Sequence, residues 1–152
     1  MTSSVKRMLE MKSIDVEARN GGREDGRTCL MTAAEYGHLD ICRLLIDKGA
    51  QMEATDNSGW TSLHLVSWEG HIDIVRLLCD RGADIEARDN GGWRPLHYAA
   101  IYGHISIVKE LIEVRNADIN ARTDSGRTAL RLARDNGKSD IAAYLVSRGG
   151  IS

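Results

Sequence analysis

Two series of glycines recur along the chain at a nearly constant spacing. The first series has steps of 33, 33 and 34 residues and consists of Gly26, Gly59, Gly92 and Gly126. A second series keeps the same steps and consists of Gly37, Gly70, Gly103 and Gly137. Two apolar series share this register: Leu30, Leu63, Leu96 and Leu130, and Ile41, Ile74, Ile107 and Ile141. Their agreement over four copies predicts a repeat architecture in which each unit is one supersecondary element.

The second unit, residues 56–88, shows what one copy encodes. It opens with the turn signal Asp-Asn-Ser-Gly, because Asn and Gly tolerate positive φ and Asp hydrogen-bonds the local backbone. Thr61 is a favourable N-cap for a short first helix that ends at Gly70. The apolar stripe of 72–81 predicts a second helix, and Gly82 then supplies a left-handed cap.

Two short helices and a turn cannot bury their own apolar faces. Stacking the units can, and this predicts a solenoid in which each repeat contacts its neighbours. The chain has 152 residues, no Phe, three Trp and four Tyr, so we expect a core built mainly from aliphatic side chains. No apolar run approaches the roughly 18 residues that a membrane span needs, so we expect no membrane insertion.

The motifs of the second and third units resemble those of the ankyrin repeat. They are Gly59-Trp60-Thr61-Ser62-Leu63-His64, Gly70-His71, Arg94-Pro95-Leu96-His97-Tyr98-Ala99-Ala100 and Gly103-His104. The resemblance implies an all-α fold, an ankyrin-repeat solenoid of stacked helix–turn–helix units with β-hairpin-like loops. It also implies a protein–protein interaction module.

We expect one domain over residues 1–152. It divides into an N-terminal capping half-repeat (1–22) and four repeats (23–55, 56–88, 89–122 and 123–152). The half-repeat rests on a match between Val5–Arg19 and Ile74–Arg88 at a constant offset, and the last repeat is rich in polar residues. Both ends therefore look capped, which favours a self-contained domain; a fragment of a longer array is the alternative.

Several positions depart from the family pattern. Cys29 and Met31, and later Ala129 and Arg131, replace the expected Pro and His of the first helix. The second repeat has Val66-Ser67 in place of two alanines. The third repeat has one extra residue near 114–116, where Asn116 can substitute for the left-handed glycine. We expect these changes to weaken local stacking without changing the fold.

The histidines and cysteines do not indicate a metal site or a catalytic site. The five histidines recur with the repeat, so they do not converge on one point as metal ligands must. The resemblance implies that the histidine of the first helix bonds within its turn and that the later one links adjacent repeats. Cys29, Cys42 and Cys79 form no Cys-x-x-Cys pair. Their odd number, with Cys42 and Cys79 at core-like positions of the second helices, predicts buried reduced thiols and an intracellular protein, cytoplasmic or also nuclear. We expect no cofactor, no metal and no catalytic residue.

The aromatic residues fall on slots that vary between repeats. The resemblance places these slots on the concave binding face, at the hairpin tip or at the end of the first helix. The predicted anchors are Tyr36, Trp60, Trp68, Trp93, Ile101 and Tyr102, and the predicted rim residues are Arg27, Asn57, Ser58, Glu69, Asn90 and Arg127. Trp and Tyr are enriched at interface hot spots. The alternative is that these rings fill gaps between neighbouring first helices.

Charge is distributed unevenly. Residues 28–114 hold 7 basic and 13 acidic residues, a net charge of −6, whereas the segments before and after carry +1 and +3. This predicts a protein partner with apolar groups and some positive charge, and it disfavours nucleic acid, whose phosphates need basic residues.

The sequence therefore favours a monomeric, non-enzymatic scaffold that binds an unknown protein partner through its concave aromatic face. A targeting or assembly subdomain of a larger multidomain protein is the alternative. Nucleic-acid binding and intrinsic catalysis are less favoured.

Overall fold

The computed structural model describes residues 25–152, so the capping half-repeat predicted for 1–22 lies outside the described residues. Each of the four repeats contributes two helices to an all-α solenoid. The helices are α1 (Cys29–Glu35), α2 (Leu39–Asp47), α3 (Ser62–Glu69), α4 (Ile72–Asp80), α5 (Pro95–Ile101), α6 (Ile105–Lys109), α7 (Ala129–Asp135) and α8 (Ser139–Ser147).

Hydroxyl caps start three of the four first helices. Thr28, Thr61 and Thr128 each accept a hydrogen bond from the backbone N–H three residues on. In the third repeat Arg94 is the N-cap residue and Pro95 takes the first helical position, where its missing N–H costs nothing. The prediction of an N-cap at Thr61 is confirmed.

Left-handed residues separate the helices as the glycine series predicts. Gly70 has φ +88° and ends α3, and Gly82 has φ +91° after α4. In the third repeat Asn116 takes this role at φ +60°, which confirms the predicted substitution. Asn is among the few residues other than Gly that tolerate this region.

The extra residue of the third repeat is accommodated slightly earlier than the sequence predicts. After α6 the chain continues as a π-helix over Glu110–Val114. A π turn takes one more residue than an α turn, so the insertion is absorbed within the second helix. Glu110 is 8% exposed there and pairs with Arg76 at 2.9 Å and with Arg115 at 3.0 Å.

Hairpin-like loops join the repeats and bind one another. Asp56 N–H donates to the carbonyl of Trp60 and Asp89 N–H to that of Trp93, both at 2.9 Å, which closes each turn. Neighbouring turns are linked by Asn90 N–H, which donates to the carbonyl of Ser58 at 3.1 Å.

The core is aliphatic, as the composition predicts, and follows the repeat register. Leu30, Leu63, Leu96 and Leu130 are 1–3% exposed. Along the stack the first helices contact one another more extensively than the second helices do. The surface carried by the first helices and the hairpins, here called the first-helix surface, is therefore the closely stacked side of the solenoid.

Candidate protein-binding surface

Two turn carboxylates fix the positions of Trp60 and Trp93. Asp56 accepts hydrogen bonds from Ser58 N–H at 2.8 Å and Trp60 N–H at 3.0 Å. Asp89 accepts from Gly91 N–H and Trp93 N–H, both at 2.9 Å. Each Trp therefore leaves a rigid turn at the same place in successive repeats, and both side chains are half-buried.

Tyr98 holds these two tryptophans together. Its ring centroid lies 4.6 Å from that of Trp60 and 4.9 Å from that of Trp93. Its hydroxyl donates to Oδ2 of Asp89, so one carboxylate binds both the turn and the helix. Burial and this hydrogen bond raise the pKa of Tyr98, which therefore stays protonated.

The cluster extends across the second and third repeats. Trp68 packs edge-on against Trp60, with centroids 5.2 Å apart and an angle of 82° between the planes. Tyr102 packs against Trp68 at 5.9 Å and 61°. These five residues, Trp60, Trp68, Trp93, Tyr98 and Tyr102, are called the aromatic cluster below. They contain all three tryptophans of the chain.

Sequence reasoning named four members of the cluster as anchors and missed the fifth. The fifth is Tyr98, which is 9% exposed and contacts two of the tryptophans. A signal was present, because the equivalent slot holds Thr32, Leu65 and Leu132 in the other repeats. An aromatic ring at this position is large enough to reach the turns of both the second and the third repeat, where Trp60 and Trp93 lie.

The remaining predicted anchors lie outside the cluster. Tyr36 is 60% exposed and its ring lies 6.5 Å from that of His38. Ile101 is half-buried at the end of α5. Tyr102 itself is 50% exposed, so it and Tyr36 present the most open aromatic rings of the predicted set.

The predicted rim residues differ in what they have to offer a partner. Asn57, Ser58, Glu69, Asn90 and Arg127 are exposed. Arg27 is instead 11% exposed, and it binds Glu35 at 2.5 Å and Asp56 at 3.5 Å. Its guanidinium joins the first two repeats, because Glu35 belongs to the first and Asp56 to the second. Since the charge of Arg27 is already paired, we leave Arg27 out of the proposed surface.

The histidines are held by backbone groups. His64 accepts from Thr61 N–H through Nδ1 at 3.1 Å, and its Nε2 lies 2.9 Å from the carbonyl of Trp93. His97 repeats this arrangement with Arg94 N–H and the carbonyl of Ala121. Burial lowers the pKa of both, so they are neutral and donate through Nε2. The first-helix histidine thus bonds within its turn, as the resemblance implies, and also reaches a second loop.

The later histidines link repeats as expected. Nε2 of His71 lies 3.0 Å from the carbonyl of Glu35, and that of His104 lies 2.7 Å from the carbonyl of Trp68. Each bond joins the start of a second helix to the first helix of the preceding repeat. These histidines therefore stabilise the stack.

The comparison with protein families agrees with this geometry. A family model described as "Ankyrin repeats (3 copies)" matches residues 1–89 and 88–152, which together span the chain. The chain belongs to the ankyrin-repeat family. Ankyrin repeats are generally protein–protein interaction modules.

Individual relatives match only part of this ankyrin-repeat chain. The transcription factor TOXE of Cochliobolus carbonum is 47% identical over 45 residues, 30% of the chain. The NF-kappa-B inhibitor cactus of Drosophila melanogaster is 46% identical over 52 residues, 34% of the chain. The matched segments span 10% of the length of each relative.

Other kinds of site find little support between residues 25 and 152. There, no group of three or more His, Cys, Asp or Glu is placed to hold a metal ion, and no helix is long and apolar enough to cross a bilayer. Burial raises the pKa of Cys42 to about 12 and that of Cys79 to about 11. Both are therefore protonated thiols, which are poor nucleophiles. Cys42 is buried as predicted, whereas Cys29 and Cys79 are half-buried.

Proposed function

We propose that the chain is a non-enzymatic binding module that holds a partner protein on its first-helix surface, with the aromatic cluster as the centre of the contact. The observation that carries this proposal is the cluster itself. Three tryptophans and two tyrosines pack side by side in two successive repeats; four of the rings are partly exposed, and the buried ring of Tyr98 links Trp93 to the others.

Such a patch suits a protein partner for two reasons. Large aromatic rings bury much area while keeping few rotatable bonds, so little side-chain entropy is lost when they are covered. The rings are also fixed before binding, because the turn carboxylates of Asp56 and Asp89 and the core ring of Tyr98 hold them. A preformed anchor of this kind is typical of hot spots.

The closer stacking of the first helices supports a concave shape for this surface. When one side of a stack is more tightly packed than the other, the stack bends toward the tight side. A concave groove of repeated slots is how solenoid proteins present an extended contact surface. We place the aromatic cluster, Tyr36 and Ile101 on its floor, and Asn57, Ser58, Glu69, Asn90 and Arg127 along its rim.

Partner capture from a native cell extract tests the proposal. The Trp60→Ala/Trp93→Ala double variant is expected to lose the proteins that the unchanged chain retains, as quantified by mass spectrometry. Far-UV circular dichroism and thermal melting establish that the variant is folded. Because Tyr98 loses its two neighbours in this variant, Tyr102→Ala is a second variant that removes only a half-exposed ring.

Tyr144→Ala is the matched control. Tyr144 lies on a second helix, away from the cluster, and is also half-buried. It should leave capture unchanged. If both cluster variants remain folded and retain the same proteins, or if Tyr144→Ala alone loses them, the first-helix surface is not the binding site.

The identity of the partner does not follow from the relatives. One relative is named a transcription factor and the other an inhibitor, and each shares only a short segment with this chain.

We further propose that the chain is a monomer. We also propose an intracellular location, cytoplasmic or nuclear, which the three free cysteines support. The acidic charge of residues 28–114 disfavours nucleic acid as the ligand.

A second candidate is a targeting or assembly subdomain within a larger protein. It is favoured by the short span that the chain shares with its relatives, a tenth of their length. A transcript whose reading frame continues past Ser152 would support it.

A further inference from the structure

We propose that the partner's anchor is a cationic side chain, an arginine or lysine in a basic peptide segment, that packs on the rings of Trp68 and Tyr102 beside Glu69. This inference rests on the proposed function and specifies the chemistry of the ligand at that surface. It follows from three properties of this part of the surface: the ring geometry, an exposed carboxylate without an ion pair among residues 25–152, and the absence of a cation from those residues over the rings.

The ring geometry leaves faces of different orientation next to each other. The plane of Trp68 stands at 82° to that of Trp60 and at 61° to that of Tyr102. Side chains that pack edge to face in this way form a corner, and Tyr102 is 50% exposed at its outer side. A guanidinium or ammonium group binds favourably over the face of Trp or Tyr within about 6 Å of the ring centroid.

Glu69 supplies the negative charge at this corner. It directly follows Trp68 at the end of α3, and its side chain is exposed. The other carboxylates near the cluster are occupied: Asp89 accepts from two backbone amides and from Tyr98, and Asp56 binds the turn and Arg27. Glu69 forms no ion pair among residues 25–152, so its charge is available to a ligand.

Two arginines that are close in sequence to members of the cluster pair with carboxylates. Arg94 binds Glu86 at 3.1 Å, and Arg88 binds Asp124 at 2.6 Å. Within the described part of the chain, cations stack only on Tyr144, where Lys109 lies 5.5 Å and Arg148 5.7 Å from the ring centroid. No cation of residues 25–152 therefore lies over the rings of the cluster.

Charge complementarity selects a basic ligand over an acidic or neutral one. The segment that carries the cluster, residues 28–114, has a net charge of −6. An acidic peptide would be repelled by this charge, and so would the phosphates of a nucleic acid. A basic peptide gains from both the aromatic faces and the long-range field.

The tryptophans themselves provide the readout. All three belong to the cluster, so each indole Nε1–H signal in a ¹H–¹⁵N spectrum reports from this surface. The intact chain is titrated with octa-arginine and octa-lysine peptides. Octa-citrulline, which keeps the shape of arginine without its charge, and a single-stranded octanucleotide are the comparison ligands.

We expect the cationic peptides to shift the Trp68 indole signal in a saturable way, and octa-citrulline to bind at least about fivefold more weakly, which is the scale of one exposed cation–π contact. Glu69→Gln should weaken octa-arginine binding about two- to fivefold, as expected for one exposed charge pair. Tyr102→Leu should weaken octa-arginine binding by a similar factor. Tyr102→Phe should bind as tightly as the unchanged chain, because the phenyl face remains.

Asp40→Asn is the matched charge control, because Asp40 is an exposed acid on the second helix α2. It should change the affinity less than Glu69→Gln does. Equal losses in the two variants would mean attraction to the overall charge, and they would overturn the inference. It is also overturned if octa-citrulline or the octanucleotide binds as tightly as octa-arginine.

The two proposals can fail separately. If the Trp60→Ala/Trp93→Ala variant loses captured proteins while octa-arginine does not bind the intact chain, the surface binds protein through an uncharged anchor and only this inference fails. If the double variant loses nothing and octa-arginine still requires Glu69 and Tyr102, the cation site exists but the proposed function fails.

Discussion

Tyr98 shows how one substitution in a repeat slot can build a local structure. Where Leu65 and Leu132 only fill the core, Tyr98 also stacks between two tryptophans and binds Asp89 through its hydroxyl. The same residue therefore belongs to the core of the stack and to its surface. It sets the spacing between the turns of the second and third repeats.

Replacing Tyr98 separates these contributions. Tyr98→Phe keeps the stack and loses the bond to Asp89, so we expect the free energy of unfolding in urea to fall by about 1–3 kcal/mol. Tyr98→Leu also removes the ring, and the emission maximum of the tryptophans should move to longer wavelength as water reaches them. Tyr144→Phe removes an exposed bond to Glu113 and should cost about 0.5 kcal/mol or less. A Tyr98→Phe cost no larger than that of Tyr144→Phe would contradict the role given to this hydroxyl.

His64 and His97 make the stability of the stack depend on pH. In the folded chain burial lowers their pKa, and Nδ1 of each is occupied as an acceptor. Above an ordinary histidine pKa of about 6.5 both states are neutral. Below it the unfolded chain takes up protons first, so the free energy of unfolding falls until the pH reaches the lowered pKa of the folded state.

Urea unfolding at pH 7 and at pH 5.5 checks this expectation. The unchanged chain should lose more stability between the two values than the His64→Gln/His97→Gln variant, because Gln can keep the bond to the N-cap N–H without titrating. His38→Gln is the control, since His38 is exposed. The explanation is wrong if the double variant and the unchanged chain lose the same stability.

At the scale of the helix, Gly70 at the end of the first helix α3 meets two demands at once. Gly70 has φ +88°, and a Cβ placed on it would lie 2.7 Å from the ring of His104. Gly82 ends the second helix at φ +91°, yet a Cβ there would meet nothing within 4 Å. Both positions need left-handed backbone, and only Gly70 also needs the space.

This difference makes a matched pair of variants. Gly82→Ala should cost about 1–2 kcal/mol, the strain of a left-handed non-glycine residue. Gly70→Ala should cost clearly more, because the His104 ring must move and its bond to the carbonyl of Trp68 is weakened. Chemical unfolding of the two variants measures both values. Equal costs would show that the ring moves aside freely.

In the third repeat the sequence predicts the inserted residue but not the helix type that accommodates it. The sequence places one extra residue near 114–116, and the left-handed Asn116 confirms that part. The π-helix over Glu110–Val114 is not visible in the pattern, because it depends on Glu110 facing inward to Arg76 and Arg115. One of these partners, Arg76, belongs to the second repeat, so the contacts of the π-helix depend on how the repeats stack.

For the whole molecule, the repeat register determines most of what can be predicted. Caps, left-handed glycines and core leucines follow from positions that recur, so one copy predicts the others. The contacts of the candidate site do not recur. The stacking of Tyr98 between Trp60 and Trp93, and the pairing of Arg27 with Asp56, join residues of different repeats. The sequence could name these residues, but their contacts required the stack.

The same nonuniform contacts predict that stability varies along the solenoid. The interface between the second and third repeats combines the aromatic cluster, the His64 and His104 bonds to backbone carbonyls, and the ion pair of Arg76 with Glu110. The first and fourth repeats have Met31 and Arg131 in place of the first-helix histidine. In a solenoid, local opening follows the strength of nearest-neighbour interfaces.

Hydrogen exchange followed by mass spectrometry at neutral pH should therefore show the slowest amide exchange in α3 to α6 and faster exchange in α1 and α7, after correction for intrinsic rates. His104→Ala should accelerate exchange in α3, because it removes the bond to the carbonyl of Trp68, and leave α7 less affected. Equal protection of α1, α3, α5 and α7 would mean that the stack opens as one cooperative unit. In that case the departures from the family pattern in the first and last repeats would not weaken local stacking.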